Sequence, residues 1–305
     1  MSDKPFATIE KQLEILKRRG VVCDERTRAA LMREGYYAIV NGYKGPFLDA
    51  AASAQAKEDR YLPGTTFADI YMLFRFDRDL RALTFRSLMM VETMLRSLMS
   101  YSFSEVHKAT EAYLKPGCYT DAANYLRGER RHAGDLEWMV DMLERHARGV
   151  EADEPGGGDG SDVRVAYYRD VHGGVPLWVL FTELSFGNLK YFFALMKPEE
   201  QKAVCRRLAE LCGGDVLARN ALYDRLEVMV DARNICAHEE RLYNAKLGEA
   251  DLGFAELAAI LRESLPEPDK SRLDEDFSHL LGRYRASFAS QPARDVLDEL
   301  ADSLG

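Results

Sequence analysis

Apolar residues recur along this chain every three to four positions, the period of a helix, and almost nowhere alternate as they do in strands. Ile9, Leu13 and Leu16 form a first stripe, with Ile15 off it. Thr8 precedes it as a cap and Gly20 follows it as a stop, which predicts a helix running to about Arg19. A second helix is predicted over residues 24–37. It runs into Gly35-Tyr36-Tyr37-Ala38-Ile39-Val40-Asn41-Gly42-Tyr43, a bend rich in glycine and tyrosine. Residues 50–63 are small, polar and weakly patterned, and read as a surface loop. Thr66-x-x-Asp69 has the form of a capping box with Asp in place of Glu. It opens a long helix to about Phe103, whose stripe includes Phe67, Ile70, Phe74, Leu80, Leu88, Val91, Leu95 and Leu98.

Residues 149–162 are dominated by Gly, Asp and Pro and predict a mobile loop. Pro176-Leu177-Trp178 begins a short apolar helix, broken at Ser185-Phe186-Gly187, and both Trp178 and Phe186 are expected to be largely buried. Further helices are predicted over residues 199–211 and 216–243, and in the tail near 254–265, 272–285 and 293–303. No internal repeat is present. The expectation is an all-α, multi-helix bundle with the long helix packed on the 216–243 helix.

Composition narrows the class. At 47% hydrophobic and 30% charged residues, the chain has the balance of a soluble globular protein. Its first residues lack the apolar stretch of a signal peptide, and no apolar run approaches a membrane span, so a cytoplasmic protein is expected. Five scattered cysteines, an odd count, argue against a disulfide framework. Cys236-x-His238 could begin a metal site, but no second pair is spaced to finish it, and neither metal nor cofactor is expected. The net charge of −9 argues against a generic nucleic-acid binder. It leaves room for a local basic groove, and short basic clusters occur at Lys17-Arg18-Arg19, around Arg130-Arg131, and at Arg206-Arg207.

The chemistry concentrates in residues 231–244, D-A-R-N-I-C-A-H-E-E-R-L-Y-N. Arg233-Asn234 and His238 form R-N-x-x-x-H. Arginine clamps phosphate oxygens with a planar fork of donors, and histidine moves protons near neutral pH. Read as a continuous helix, the segment puts Asn234 and His238 on one face and turns Arg233 roughly 140° from His238. Arg233 and His238 then meet at one phosphate only if the helix is distorted or a second copy supplies the missing group. On the long helix, Glu92 and Arg96 form an i,i+4 pair able to orient Arg233. A second Arg-x-x-x-x-His, Arg127 to His132, lacks the Asn.

Several blocks resemble the Abi-like family, the AbiD/AbiF-type bacterial abortive-infection proteins. They are Lys4-Pro5-Phe6 with Leu13 and Gly20, the Gly35–Tyr43 bend, and Phe74-Arg75-Phe76-Asp77-Arg78-Asp79-Leu80-Arg81 continuing into Glu92-x-x-x-Arg96. Pro176-Leu177-Trp178 through Ser185-Phe186-Gly187-Asn188-Leu189 and Arg233-Asn234…His238…Arg241-Leu242-Tyr243-Asn244 complete the set. The family is similar to the HEPN superfamily, so the resemblance implies a HEPN-like helical domain over residues 1–250 (N-terminal helices 1–60, core 61–250) and a C-terminal helical extension over 251–305. It implies a phage-defence ribonuclease toxin, metal-independent and acting as a homodimer. Arg233, His238 and Asn234 would be catalytic, with Glu92 and Arg96 supporting them. Cleavage would leave a 2′,3′-cyclic phosphate and a 5′-OH. Tyr36, Tyr37, Tyr43, Lys190, Arg241, Tyr243 and Asn244 are candidate RNA contacts, although the bend tyrosines are read first as core and bend packing, with stacking on bases the sharper alternative. Two alternatives stay open: a non-catalytic RNA-binding protein restrained by a small structured RNA, and a helical sensor of a phage component.

Overall fold

The computed structural model describes residues 6–149 and 163–304. Within them the chain is helical, and strand pairing is confined to isolated bridges such as Val22 to Thr66. The helices are α1 (Ile9–Arg18), α2 (Glu25–Glu34), α3 (Ala50–Ala56), α4 (Phe67–Val106), α5 (Glu129–Arg148), α6 (Val163–His172), α7 (Leu177–Leu180), α8 (Phe186–Leu195), α9 (Pro198–Cys212), α10 (Arg219–Ala237), α11 (Phe254–Glu263), α12 (Asp269–Ser287) and α13 (Gln291–Leu304).

The axis of the bundle is α4, 40 residues long. The Thr66 hydroxyl accepts from the Asp69 amide, and the Asp69 carboxylate accepts from the Thr66 amide, so both orphan donors at its start are satisfied. It packs against α9, α10 and α12, as expected for α10. At its C-terminal end Phe103 meets Phe192 and Tyr119, and Phe192 also meets Phe181 edge to face. Burying each such ring stabilises the fold by about 1.5–3 kcal/mol relative to exposure.

Several expectations are corrected. Residues 50–56 are not loop but α3, because alanine is the best helix former and Asp49 caps the run by accepting from the Ala52 amide. Trp178 is 56% exposed, whereas Phe186 is buried as expected. The short α7 turns Leu177, Val179 and Leu180 inward, and Trp178 takes the remaining face. The second helix stops at Glu34, where Gly35 adopts a positive φ, and residues 37–41 wind into a single wide π-type turn. The helix expected over 216–243 is shorter at both ends. The 20-residue α5 has no counterpart among the expectations, because charge crowds its sequence. The mobile loop expected at 149–162 lies outside the described residues except for Gly149, which ends α5. No helix among the described residues is long and apolar enough to cross a membrane.

One buried polar contact ties α4 to α9. His107 Nε2 lies 2.7 Å from Glu200 Oε1, and Glu200 Oε2 accepts from the Lys197 amide. Burial pushes the Glu200 carboxyl up to about 7 and the His107 imidazole down. Both shifts favour a neutral pair in which Glu200 donates its proton to Nε2. A carboxyl raised above its unfolded value contributes stability that is complete below the unfolded pKa and lost as pH rises through the folded one. The carboxyl's contribution therefore falls between about 4.5 and about 7, while the lowered His107 contributes the opposite slope below its ordinary 6.5. Glu200→Gln retains a donor toward His107, removes the carboxyl's slope and leaves the histidine's, so its stability relative to wild type is expected to rise with pH across this window. Melts of both proteins at the two ends of this window check it, and equal slopes would refute the assignment.

Candidate functional site

The Arg-Asn-x-x-x-His segment occupies the end of α10, and that end is abrupt. His238 is the C-cap, its amide bonded to the Asn234 carbonyl at 2.9 Å. Glu239 then enters the left-handed region at φ 57, and the Glu240 amide closes back on the Ile235 carbonyl. This is a Schellman-type stop built without glycine, and it strains the backbone by about 1–2 kcal/mol. Segment 231–244 is therefore helix only to Ala237.

What compels the stop is a buried carboxylate on the neighbouring helix. Asp77, with no solvent exposure, accepts from the Leu242 amide and, at 2.8 Å, from the Tyr243 amide. It also accepts from the Tyr43 hydroxyl at 2.7 Å and from Arg81 Nη1 at 2.6 Å. Burial pushes this carboxyl upward while these donors pull it back. Every partner is a donor and Arg81 is a permanent cation, so the carboxylate is the form that fits. Arg81 Nη1 further reaches the Glu240 carbonyl. The segment after α10 is thus drawn down onto α4, and Tyr243 stacks on Tyr43 with ring centroids 5.9 Å apart. Burial raises the Tyr43 hydroxyl above its ordinary range, which keeps it a donor.

This arrangement opens a groove of about 680 Å³ between α10's end, the 37–43 bend and α4. His238 lines it, exposed, together with Tyr37, Arg78, Arg241, Asn244 and Lys246. Tyr37 is 79% exposed there. Arg78 is held in a bidentate pair by Glu34 and lies over the Phe74 ring. Arg241 bonds the Gly42 carbonyl, and neither it nor Lys246 has a carboxylate partner among the described residues.

Arg233 is not part of that groove wall. It projects from the other side of α10, half-buried, with Nε 3.9 Å from Glu92 Oε2 and Nη1 3.4 Å from Asn234 Oδ1. Glu92 is almost fully buried on α4, and Arg96 binds its other oxygen at 2.7 Å and the Leu184 carbonyl at 3.0 Å. Among the described residues, Glu92 Oε2 and the Nε atoms of Arg96 and Arg233 have no hydrogen-bond partner.

A family model described as Abi-like protein matches residues 29–244. The chain belongs to the Abi-like family. Membership implies a part in abortive infection, the bacterial defence against phage. No curated protein and no solved structure gives a match. The match takes in the Gly35–Tyr43 bend, the α4 block, the Ser185-Phe186-Gly187 block and the Arg-Asn-x-x-x-His block, and all of them meet around the C-terminal end of α10.

The remaining candidates are dispersed. Tyr36 is half-buried and receives a bond from Arg19, and Tyr43 belongs to the Asp77 network. Lys190 pairs with Glu227 at 3.2 Å beneath the Tyr191 and Tyr223 rings, away from the groove. In the second Arg-x-x-x-x-His, Arg127 is bound to Asp135 and His132 to the Thr120 carbonyl, and both serve local structure. Asp77 and Arg81 were missed as site residues, although their i,i+4 spacing on an apolar helix is the same signal as that of Glu92 and Arg96.

Proposed function

We propose that this Abi-like protein is a metal-independent endoribonuclease of the HEPN type, acting as a homodimer. The observation that carries the reading is His238, solvent-exposed in a groove beside two cations, Arg241 and Lys246, that have no carboxylate partner among the described residues. Its backbone is fixed by the helix stop and the Asp77 network, so the imidazole is presented rather than merely tolerated.

RNA carries its own nucleophile, the 2′-OH. Cleavage needs that hydroxyl deprotonated, the phosphorane charge stabilised and the 5′-oxygen protonated. His238 supplies proton transfer. Arg233 supplies the bidentate donor for phosphorane charge, and Glu92 restricts where its guanidinium can go. Arg233 and His238 leave α10 on different sides, so one copy presents them to different spaces. A two-fold pairing of the α10 ends would bring the Arg233 of one protomer to the His238 of the other.

The same divergence favours a second reading, an RNA-binding protein that does not cut. Cleavage assays in excess chelator separate the two. The expected result is fragments ending in 2′,3′-cyclic phosphate, with a single 2′-deoxy substitution at the scissile nucleotide blocking the cut. Bound but uncut RNA would establish the second reading, and cleavage of an all-deoxy strand would refute the 2′-OH mechanism.

A further inference from the structure

The C-terminal extension, beyond the residues of the family match, builds a second cavity onto the groove that holds His238. Its volume is about 300 Å³. One wall is the segment Asn244-Ala245-Lys246, whose other side lines the His238 groove, so the two cavities are neighbours across a strip of three residues. The opposite wall comes wholly from the extension: Phe254 and Ala255 at the start of α11, and Val296 and Leu300 on α13. α13 is held there by packing against α11 and α12.

We propose that this cavity is a base pocket that receives one unstacked nucleobase flanking the phosphate at His238; this rests on the reading of the groove as an RNA site. The size suits it, since the volume is at the low end for small-molecule sites and admits one ring system, not a duplex. The lining suits it too. Apolar Phe254, Ala255, Val296 and Leu300 offer a surface for the flat face of a base, and the Asn244 amide, with no hydrogen-bond partner among the described residues, can read a base edge. Charge decides which part of the nucleotide enters. Glu256 and Glu299 outnumber Lys246 at this cavity and repel a phosphate, whereas the groove, although Glu239 and Glu240 line it, carries Arg241 as well as the shared Lys246 and the paired Arg78 and Arg81. The nucleotide is therefore split, with its base toward the extension and its phosphate toward His238. Duplex RNA cannot be split in this way, so the substrate is single-stranded.

The test uses the full-length protein and a short single-stranded RNA in two forms, native and 2′-O-methylated so that it cannot be cut. Binding of the methylated strand is measured by fluorescence anisotropy with an abasic nucleotide placed in turn at each position. The abasic scan needs no change to the protein. One position is expected to lose about tenfold in affinity, and Val296→Trp, which fills the cavity, is expected to erase that dependence while leaving the abasic strand bound as before. A flat abasic scan with the wild-type protein overturns the pocket. So does a Val296→Trp variant with native circular dichroism that keeps the dependence. Loss of cleavage with the base dependence intact would sink the ribonuclease reading and leave the pocket standing. No binding to the methylated strand would sink both.

Discussion

Replacing His238 with Ala is expected to abolish RNA cleavage and leave the melting temperature nearly unchanged. The side chain is exposed, and among the described residues no side-chain hydrogen bond of its own holds the fold. Its structural duty, the amide bond to the Asn234 carbonyl, belongs to the backbone and survives the change. Arg233→Lys is expected to lose most activity as well, because an ammonium cannot reproduce the planar fork on a phosphorane. The sharper form of the experiment mixes the two defects. If each site takes its Arg from one protomer and its His from the other, co-expressed Arg233→Ala and His238→Ala chains form mixed dimers with one intact site. Half of the wild-type activity per mixed dimer is then expected from two inactive parents. An inactive mixture that is demonstrably mixed would rule out a site built from one protomer's Arg233 and the other's His238 alone. Unfolding of His238→Ala would mark the histidine as structural.

The largest effect on stability is expected at Asp77, a residue that touches no substrate in this account. Asp77→Ala deletes the acceptor shared by Tyr43, Arg81 and the Leu242 and Tyr243 amides. It leaves the Arg81 guanidinium buried without its carboxylate, a change that typically costs about 3–5 kcal/mol. For a chain of this size that is a fall in melting temperature of roughly 5–8 °C. The residues after Glu239 also lose what draws them onto α4, and the groove beside His238 opens. The expected outcome is a double loss, of thermal stability and of RNA affinity. His238→Ala is expected to lose cleavage alone. A melting temperature within a degree or two of wild type for Asp77→Ala would show that water replaces the carboxylate, and the positioning argument would fail with it.

Much of this molecule is legible without coordinates, because most of its information is local. Helical periodicity, the Thr66–Asp69 cap and the stop at Gly20 depend on residues within a few positions of one another, and they yield an all-helical chain with α1 and α4 close to their observed bounds. The Arg-Asn-x-x-x-His spacing and the blocks of the Abi-like family are read the same way. Local rules failed where two weak signals competed. Alanine-rich 50–56 looked like loop because nothing in it is apolar enough to mark a face, and α5 was hidden by its charge.

Only the tertiary structure decided where the end of α10 goes. Nothing near Ala237 in the chain says that the helix must stop there. The reason lies about 165 positions away, where Asp77, buried on α4 beside Tyr43 and Arg81, completes its hydrogen bonds with the Leu242 and Tyr243 amides, which must leave the helix to reach it. That long-range demand turns His238 into a cap at the edge of a groove and leaves Arg233 on the far side against Glu92. Likewise, sequence places α13 as a helix but cannot place it across a cavity from Asn244, because its position is set by its packing against α11 and α12. Helices are dictated by neighbours along the chain, whereas a groove is the space left between them, set by buried polar groups that must find partners wherever in the chain those partners lie.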